Sequence, residues 1–389
     1  DAFDCDNHYY EALDAFTRHL DPALGPRCVQ WCDIDGRKYH VVGGKVSRAV
    51  TNATFDPIAK AGAMHDYFRG NPDGKSPLEF LREREPICAE YRDRDARLMK
   101  MDEFGLEAIW LFPTLGVLYE ELLKDDLFAL TTTFRAFNRW IEEDWGFAYE
   151  DRIFSTPVIT LPIVERAIEE LEWVVEHGAR VVLIRPAPVP ALDGTTRSPG
   201  LPEFDSFWQR VCDLDVLVAM HASDSGYTRY VNDWEGTREF LPFKPSSFRS
   251  VAMSHRSIED AMAAMICHGA LSRFPALKIA VVENGSGFVR PLLHNLAEAY
   301  RMMPQEFAED PVEVFKRNVY VHPFHEEDID SLVDLLGADH VLFGSDYPHP
   351  EGLADPLSYV DDLGGMSRDS VVKIMGGNLA GLMSVGIPA

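Results

Sequence analysis

A few residues of this 389-residue chain have types and spacings that could do chemistry together. Asp6 and His8 stand two apart, so in a strand both side chains reach one face and can grip one ion. His221 follows the apolar run 216–220, and Asp346 follows His340–Phe343 and the small pair Gly344-Ser345. Together they make a four-ligand nitrogen and oxygen set that suits Zn²⁺ or Mn²⁺, with Fe²⁺ also compatible, and leaves room for a water. Glu283 ends the run Lys278–Val282, on the face where the ligands gather. A carboxylate near a dication stays ionised, so Glu283 is read as standing off the metal and hydrogen-bonding a water or a histidine. Arg185, after the run RVVLI, is a candidate clamp for a substrate carboxylate, with a rim salt bridge as the alternative.

Eight short apolar segments are needed to place these groups: 2–8, 106–112, 153–161, 180–184, 216–220, 278–282, 318–321 and 340–343. Amphipathic stretches such as 164–176, 204–212 and 258–268 lie between them. Strands alternating with helices imply parallel pairing by right-handed crossovers, and eight such units suggest an α/β fold, a closed (β/α)8 TIM barrel. No Gly-rich phosphate loop follows the first strand, which counts against a dinucleotide fold.

The whole chain, 1–389, is read as one such barrel with two long insertions, 9–105 after strand one and 222–257 after strand five. The first carries helical patterns at 57–68 and 77–104. The second holds Tyr227, Tyr230, Trp234, Phe240, Phe243 and Phe248, and is expected to cover the pocket and present Tyr227, Tyr230 or Trp234 to an apolar or aromatic substrate.

Lys and Arg number 37 against 63 Asp and Glu, a net charge of −26. That balance argues against nucleic acid or an anionic membrane as partner. No apolar stretch reaches the roughly 20 residues that span a bilayer. No secretory leader pattern opens the chain at Asp1, where no Met stands, and residues before Asp1 are taken to be missing from this sequence. Six scattered cysteines read as reduced thiols, so a cytoplasmic location is expected.

Four stretches carry a resemblance to the amidohydrolase superfamily, in the branch of aminocarboxymuconate-semialdehyde decarboxylase. They are Asp6-Asn7-His8 for the strand-one H-x-H or E-x-H motif, Met220-His221-Ala222 at strand five, Arg273-Phe274-Pro275-Ala276-Leu277-Lys278 before strand six, and Gly344-Ser345-Asp346-Tyr347-Pro348 at strand eight. Gly377-Asn378-Leu379-Ala380 resembles the family's terminal helix, so the likeness spans nearly the whole chain.

The resemblance implies one divalent metal ion per chain, a small-molecule substrate and a homodimer or higher homo-oligomer. In the hydrolytic reading, Asp346 takes a proton from a metal-bound water and passes it to the leaving group of an amide, lactone or related bond. The alternative is a nonoxidative decarboxylase or hydratase of an aromatic or ring-cleavage acid. Where the family shows a catalytic His, this chain has Glu283, which cannot act as an imidazolium and favours hydrolysis. His322 or His325, after strand seven, is a candidate to take that place in space, with His325 the catalytic candidate beside Asp346 and Glu283.

Overall fold

The computed structural model describes residues 2–50, 52–236 and 246–384. Seven strands run in parallel: β1 (Ala2–Tyr9), β2 (Leu106–Pro113), β3 (Ile153–Ser155), β4 (Val181–Leu183), β5 (Leu217–His221), β6 (Ile279–Val282) and β7 (Val319–Val321). β1 pairs with β2 and β2 with β3, while β4 to β7 pair in sequence order. The bridge Val158↔Leu183 joins the chain after β3 to β4, and Val321↔Val341 and Asn7↔Tyr347 join β7 to β1 through an eighth segment, 341–347 (β8). The amides of Cys5, His8 and Asp346 complete the seam, donating to the carbonyls of Phe343, Tyr347 and Asp6 at 2.7–2.9 Å. The ring is the expected eight-stranded TIM barrel.

Every residue of β1 is buried, because a barrel strand faces packed side chains inside and helices outside. The outer helices obey the 3.6-residue period. Ala167, Leu171 and Val174 are buried on Val164–Glu176, and Val289, Leu292, Leu293 and Leu296 on Val289–Met302. Truncating one such residue, Leu171→Ala, would cost about 2–5 kcal/mol. Helix Pro311–Asn318 starts with Pro at its first position, and its Asp310 cap accepts from the Val312 amide.

The first insertion is part sheet rather than wholly helical. Val29–Ile34, Arg37–Val42 and Lys45–Val46 form an antiparallel sheet, and Ile58–Ala59 pairs with Arg84–Glu85. Asp35 and Gly36 both adopt positive φ, as a tight Asp-Gly hairpin requires. Of the helical pattern, His65–Phe68, Pro77–Phe80 and Arg94–Phe104 form. The second insertion folds as helices Tyr227–Glu235 and Ser247–Met253; Phe240 and Phe243 lie outside the described residues.

Candidate metal centre

Asp6 and His8 occupy alternate positions of β1, His221 ends β5, Glu283 follows β6 and Asp346 lies on β8. All five stand at the carboxyl ends of the strands, where donor atoms of Asp6, His8, His221 and Glu283 lie within 4.8 Å of one another and Asp346 groups with His8 and His349. His8 Nε2 stands 3.3 Å from Asp6 Oδ1, 3.6 Å from Glu283 Oε2 and 3.5 Å from Asp346 Oδ1. His221 Nε2 is 3.4 Å from Asp6 Oδ1 and 2.9 Å from Glu283 Oε2. Glu283 (φ 53°) and Asp346 (φ 55°) both hold left-handed backbone, which costs a non-glycine residue about 1 kcal/mol or more. The fold spends that strain where it aims two carboxylates at one point.

The hydrogen-bond pattern suits a cation. Neither oxygen of Asp6 has a hydrogen bond, and neither does Oδ1 of Asp346, although all three are buried. His8 Nδ1 lies 3.2 Å from the Pro113 carbonyl, and His221 Nδ1 lies 2.7 Å from the Ala222 carbonyl. Carbonyls only accept, so each Nδ1 carries the hydrogen and each Nε2 turns to the shared point. The two Nε2 atoms are 3.2 Å apart. A positive charge must stand there, either a proton or a metal ion.

The ionisation pattern agrees. Burial opposes charge on His221, but Glu283 and Asp6 outweigh it and raise its pKa to about 10. Burial likewise opposes charge on Asp6 and Glu283. The imidazoles outweigh it, holding Asp6 well below the carboxylate range and Glu283 at about 2. Asp346 goes the other way: burial, then Glu283 and Asp6, push it well above its usual value. Three carboxylates around one point exceed what two imidazoles can balance, and a divalent cation meets the deficit. The donor set fits one such ion.

A supporting layer fixes the ligands. Asp4 Oδ1 accepts from the amides of Asp6 and Ser345, both at 3.0 Å, and its Oδ2 accepts from Asn7 Nδ2 at 2.6 Å and Ser345 Oγ at 2.5 Å. Asp4 thus ties β1 to the turn that bears Asp346. Arg97, fully buried, donates to Asn7 Oδ1 and to the His8 carbonyl. His322 lies 3.4 Å from Asp6 and accepts from the Glu283 amide at 3.3 Å, so it braces Glu283.

Sequence reasoning missed His349. Its Nδ1 approaches Asp346 Oδ1 at 2.7 Å, its Nε2 lies 3.0 Å from Thr114 Oγ1, and its ring packs on His8 at 4.0 Å. The signal was present, three residues past Asp346. Asp4 was missed too, although it shares the inward register of Asp6 and His8.

A cavity of about 690 Å³ opens above this floor. His8, Glu283 and His349 line it, while Val117, Leu118, Phe55 and Ile58 supply apolar wall. From the second insertion, Ala222, Ser223, Asp224, Thr228 and Met253 reach it, while Tyr227, Tyr230 and Trp234, expected to do so, do not. Val231 is the buried residue of helix Tyr227–Glu235, which turns Trp234 (69% exposed) and Tyr230 to the outside. Tyr227 donates to Asp260 on the barrel helix Arg256–Cys267. Arg185 does not line the cavity. It is buried and donates to Glu121 at 2.8 Å, with Glu120 at 3.7 Å, so its charge is already met. His325 is also elsewhere: it accepts from Arg69 at 2.9 Å and stacks on His65, and burial pushes its pKa down to about 4.

Parallel barrel, ligand-bearing strand ends and a cation-hungry centre define a metal-dependent barrel enzyme. The family model described as Amidohydrolase matches residues 92–379, and the chain belongs to that family. It is similar to a crystal structure of an amidohydrolase from Mycobacterium avium subsp. paratuberculosis K-10, with 42% identity, 98% of each chain covered and a TM-score of 0.93. It also shares the fold of 2,6-dihydroxybenzoate decarboxylase from Rhizobium, at 20% identity over 85% of this chain and 98% of that one, TM-score 0.58. The dihydroxybenzoic acid decarboxylase from Polaromonas sp. JS666, solved with bound manganese and the inhibitor 2-nitroresorcinol, matches at 20% identity over 85% and 97%, TM-score 0.58. Among the described residues, no helix is long and apolar enough to cross a membrane.

Proposed function

We propose that the protein is a metal-dependent, nonoxidative decarboxylase of a small carboxylic acid, with the ion held by Asp6, His8, His221 and Asp346. The observation that carries this reading is the cavity, a polar floor beneath largely apolar walls. A carboxylate drawn into such walls loses hydration, while departure of CO₂ disperses its charge. The fold shared with decarboxylases of aromatic acids points the same way. The orphaned oxygens of Asp6 and Asp346 favour these two as ligands. Glu283, 25% exposed, faces the cavity instead.

When bound, a divalent ion supplies a Lewis acid that anchors and polarises the substrate's oxygens. The chain's residues do the rest. His8 and His221 keep their Nε2 lone pairs aimed by donating Nδ1–H to carbonyls. The carbon that loses CO₂ needs a proton, and His349, on the cavity floor 2.7 Å from Asp346, is placed to hold and deliver it. His349 thus puts an imidazole where Glu283 puts a carboxylate. Burial and the neighbouring His8 hold its pKa well below the usual value, so at rest the proton sits on Asp346, whose pKa is raised, and His349 relays it. The manganese bound in the dihydroxybenzoic acid decarboxylase that shares the fold favours Mn²⁺ as the first ion to load.

A second reading rests on Glu283. A carboxylate on the floor, 2.9 Å from His221 Nε2, can accept a proton from water and support hydrolysis of an amide or lactone. One screen separates them. Manganese-loaded protein is offered carboxyl-¹³C-labelled aromatic and aliphatic acids beside a panel of amides and lactones. Release of ¹³CO₂ without oxidant supports decarboxylation. Turnover confined to amides or lactones overturns it.

A further inference from the structure

The cavity's volume lies within the range of about 300–1,000 Å³ that takes drug-sized ligands. One substituted benzene ring would leave much of it empty. Its floor is buried and acidic, while its exposed rim carries Arg48 and Arg84. These are the only Arg or Lys among the described lining residues. Neither makes a side-chain hydrogen bond or ion pair with another described residue; Arg48 has one ring contact, 5.9 Å from the centre of Tyr39. In a chain of net charge −26, buried or half-buried arginines such as Arg185 and Arg139 are already paired with glutamates. Two open guanidiniums at one cavity mouth are a different arrangement.

Both arginines are carried on framed backbone. Arg48 follows Ser47, whose amide donates to the His40 carbonyl at 2.8 Å in the three-stranded sheet. Arg84 sits in the two-stranded pairing opposite Ala59. Between rim and floor, Val46, Val50, Phe55, Ile58, Leu118 and Met253 offer apolar surface.

We infer that the substrate is an elongated, two-headed acid: one carboxylate at the metal floor, an apolar body along the walls, and a second carboxylate held by Arg48 and Arg84. The inference takes the floor as the reacting end, and so rests on the proposed function. Guanidinium forks match a carboxylate in charge and geometry, and a monoacid leaves them unmet.

The test uses titration calorimetry on the full chain with straight-chain α,ω-dicarboxylates and the monocarboxylates of equal length, six to twelve carbons. Wild-type protein loaded with Mn²⁺ binds the longer diacids more tightly than the matched monoacids, by roughly tenfold. Arg48→Ala/Arg84→Ala loses that margin, and Arg48→Lys/Arg84→Lys retains part of it. Melting curves check that these exposed changes leave the fold intact. In chelated His221→Ala protein the arginine-dependent margin persists. If diacid and monoacid bind alike at every length, or the margin survives in the double alanine variant, the inference is overturned. If the margin behaves as expected but Mn²⁺ tightens no acid in wild type, the metal-end reading fails and the rim site stands.

Discussion

His8 and His221 face each other through their Nε2 atoms at 3.2 Å, each with its Nδ1 committed to a backbone carbonyl. Neither ring can turn away without losing that bond in a buried site, which costs about 1–3 kcal/mol. Two fixed donors at that spacing, beside Asp6, make a preformed ion site. His221→Ala should therefore lower metal affinity more than tenfold while the circular dichroism spectrum stays that of the wild type. Mn²⁺ at about 100 times its Kd should stabilise the wild type by ~2.7 kcal/mol and the variant hardly at all. An unchanged metal content in the variant, read by mass spectrometry, would sink the ligand assignment.

Gly344 lets two ligand-bearing segments touch. A Cβ there would lie 2.6 Å from Asp6 Cβ and 2.7 Å from His322 Cε1, closer than real side chains come. Gly344→Ala should push Asp6 aside, cost about 1–3 kcal/mol in stability and weaken metal binding together. Gly381→Ala, in helix Asn378–Met383 with nothing within 4 Å of its added Cβ, is the control: it should leave metal binding unchanged and raise stability by about 0.5–1 kcal/mol. Equal behaviour of the two variants in melting and metal titration would show that the close approach is immaterial.

The candidate ligand positions were legible because a parallel barrel brings the carboxyl ends of its strands together, so donor types at the ends of strands one, five and eight are expected to gather at one end. Arg185 was equally visible, but its partners Glu120 and Glu121 lie on helix Gly116–Leu123, and only packing shows that they face it. Trp234 and Tyr230 read as a lid because six aromatics share one segment. The helix they occupy instead turns Val231 inward. Arg48 and Arg84 gave no local signal, since their meaning comes from two small antiparallel sheets closing over the cavity. His349 was hidden by its turn-like setting, where Asp and Pro read as turn chemistry.

Glu11, near His8 but not itself a candidate ligand, offers a pH-dependent test. Its Oε1 accepts the amides of Leu115 and Gly116 at 2.7 and 3.0 Å, while its Oε2 is buried without a partner. Burial raises its pKa to about 7. A folded-state pKa above the unfolded value of 4.5 means the folded chain holds the proton more tightly. The associated stability is complete below about pH 4.5 and is lost as pH rises through 7, with a slope approaching 1.4 kcal/mol per pH unit between. Glu11→Gln removes that titration. Between pH 5 and pH 8 the wild type should lose stability relative to Glu11→Gln; parallel melting curves across that range would refute the raised pKa.

Glu283 and Asp346 both reach His8 Nε2, at 3.6 and 3.5 Å, and each could complete the ligand set. Their surroundings separate them. Asp346 Oδ1 is buried and, although His349 Nδ1 stands 2.7 Å away, it accepts no aligned hydrogen bond; burial with Glu283 and Asp6 nearby raises its pKa, so without an ion its charge is poorly compensated. Glu283 keeps a quarter of its side chain exposed, lines the cavity and is already met by His221 at 2.9 Å. Asp346→Asn should therefore cut metal affinity at least tenfold. Glu283→Gln should leave it within about threefold; a further loss of turnover by ~10²-fold or more marks the hydrolytic reading, in which Glu283 takes the proton from water. Calorimetric titration with Mn²⁺ reads the first quantity without any substrate. If Glu283→Gln empties the site and Asp346→Asn does not, the ion belongs to Asp6, His8, His221 and Glu283. Asp346 would then be left to His349 as its proton partner.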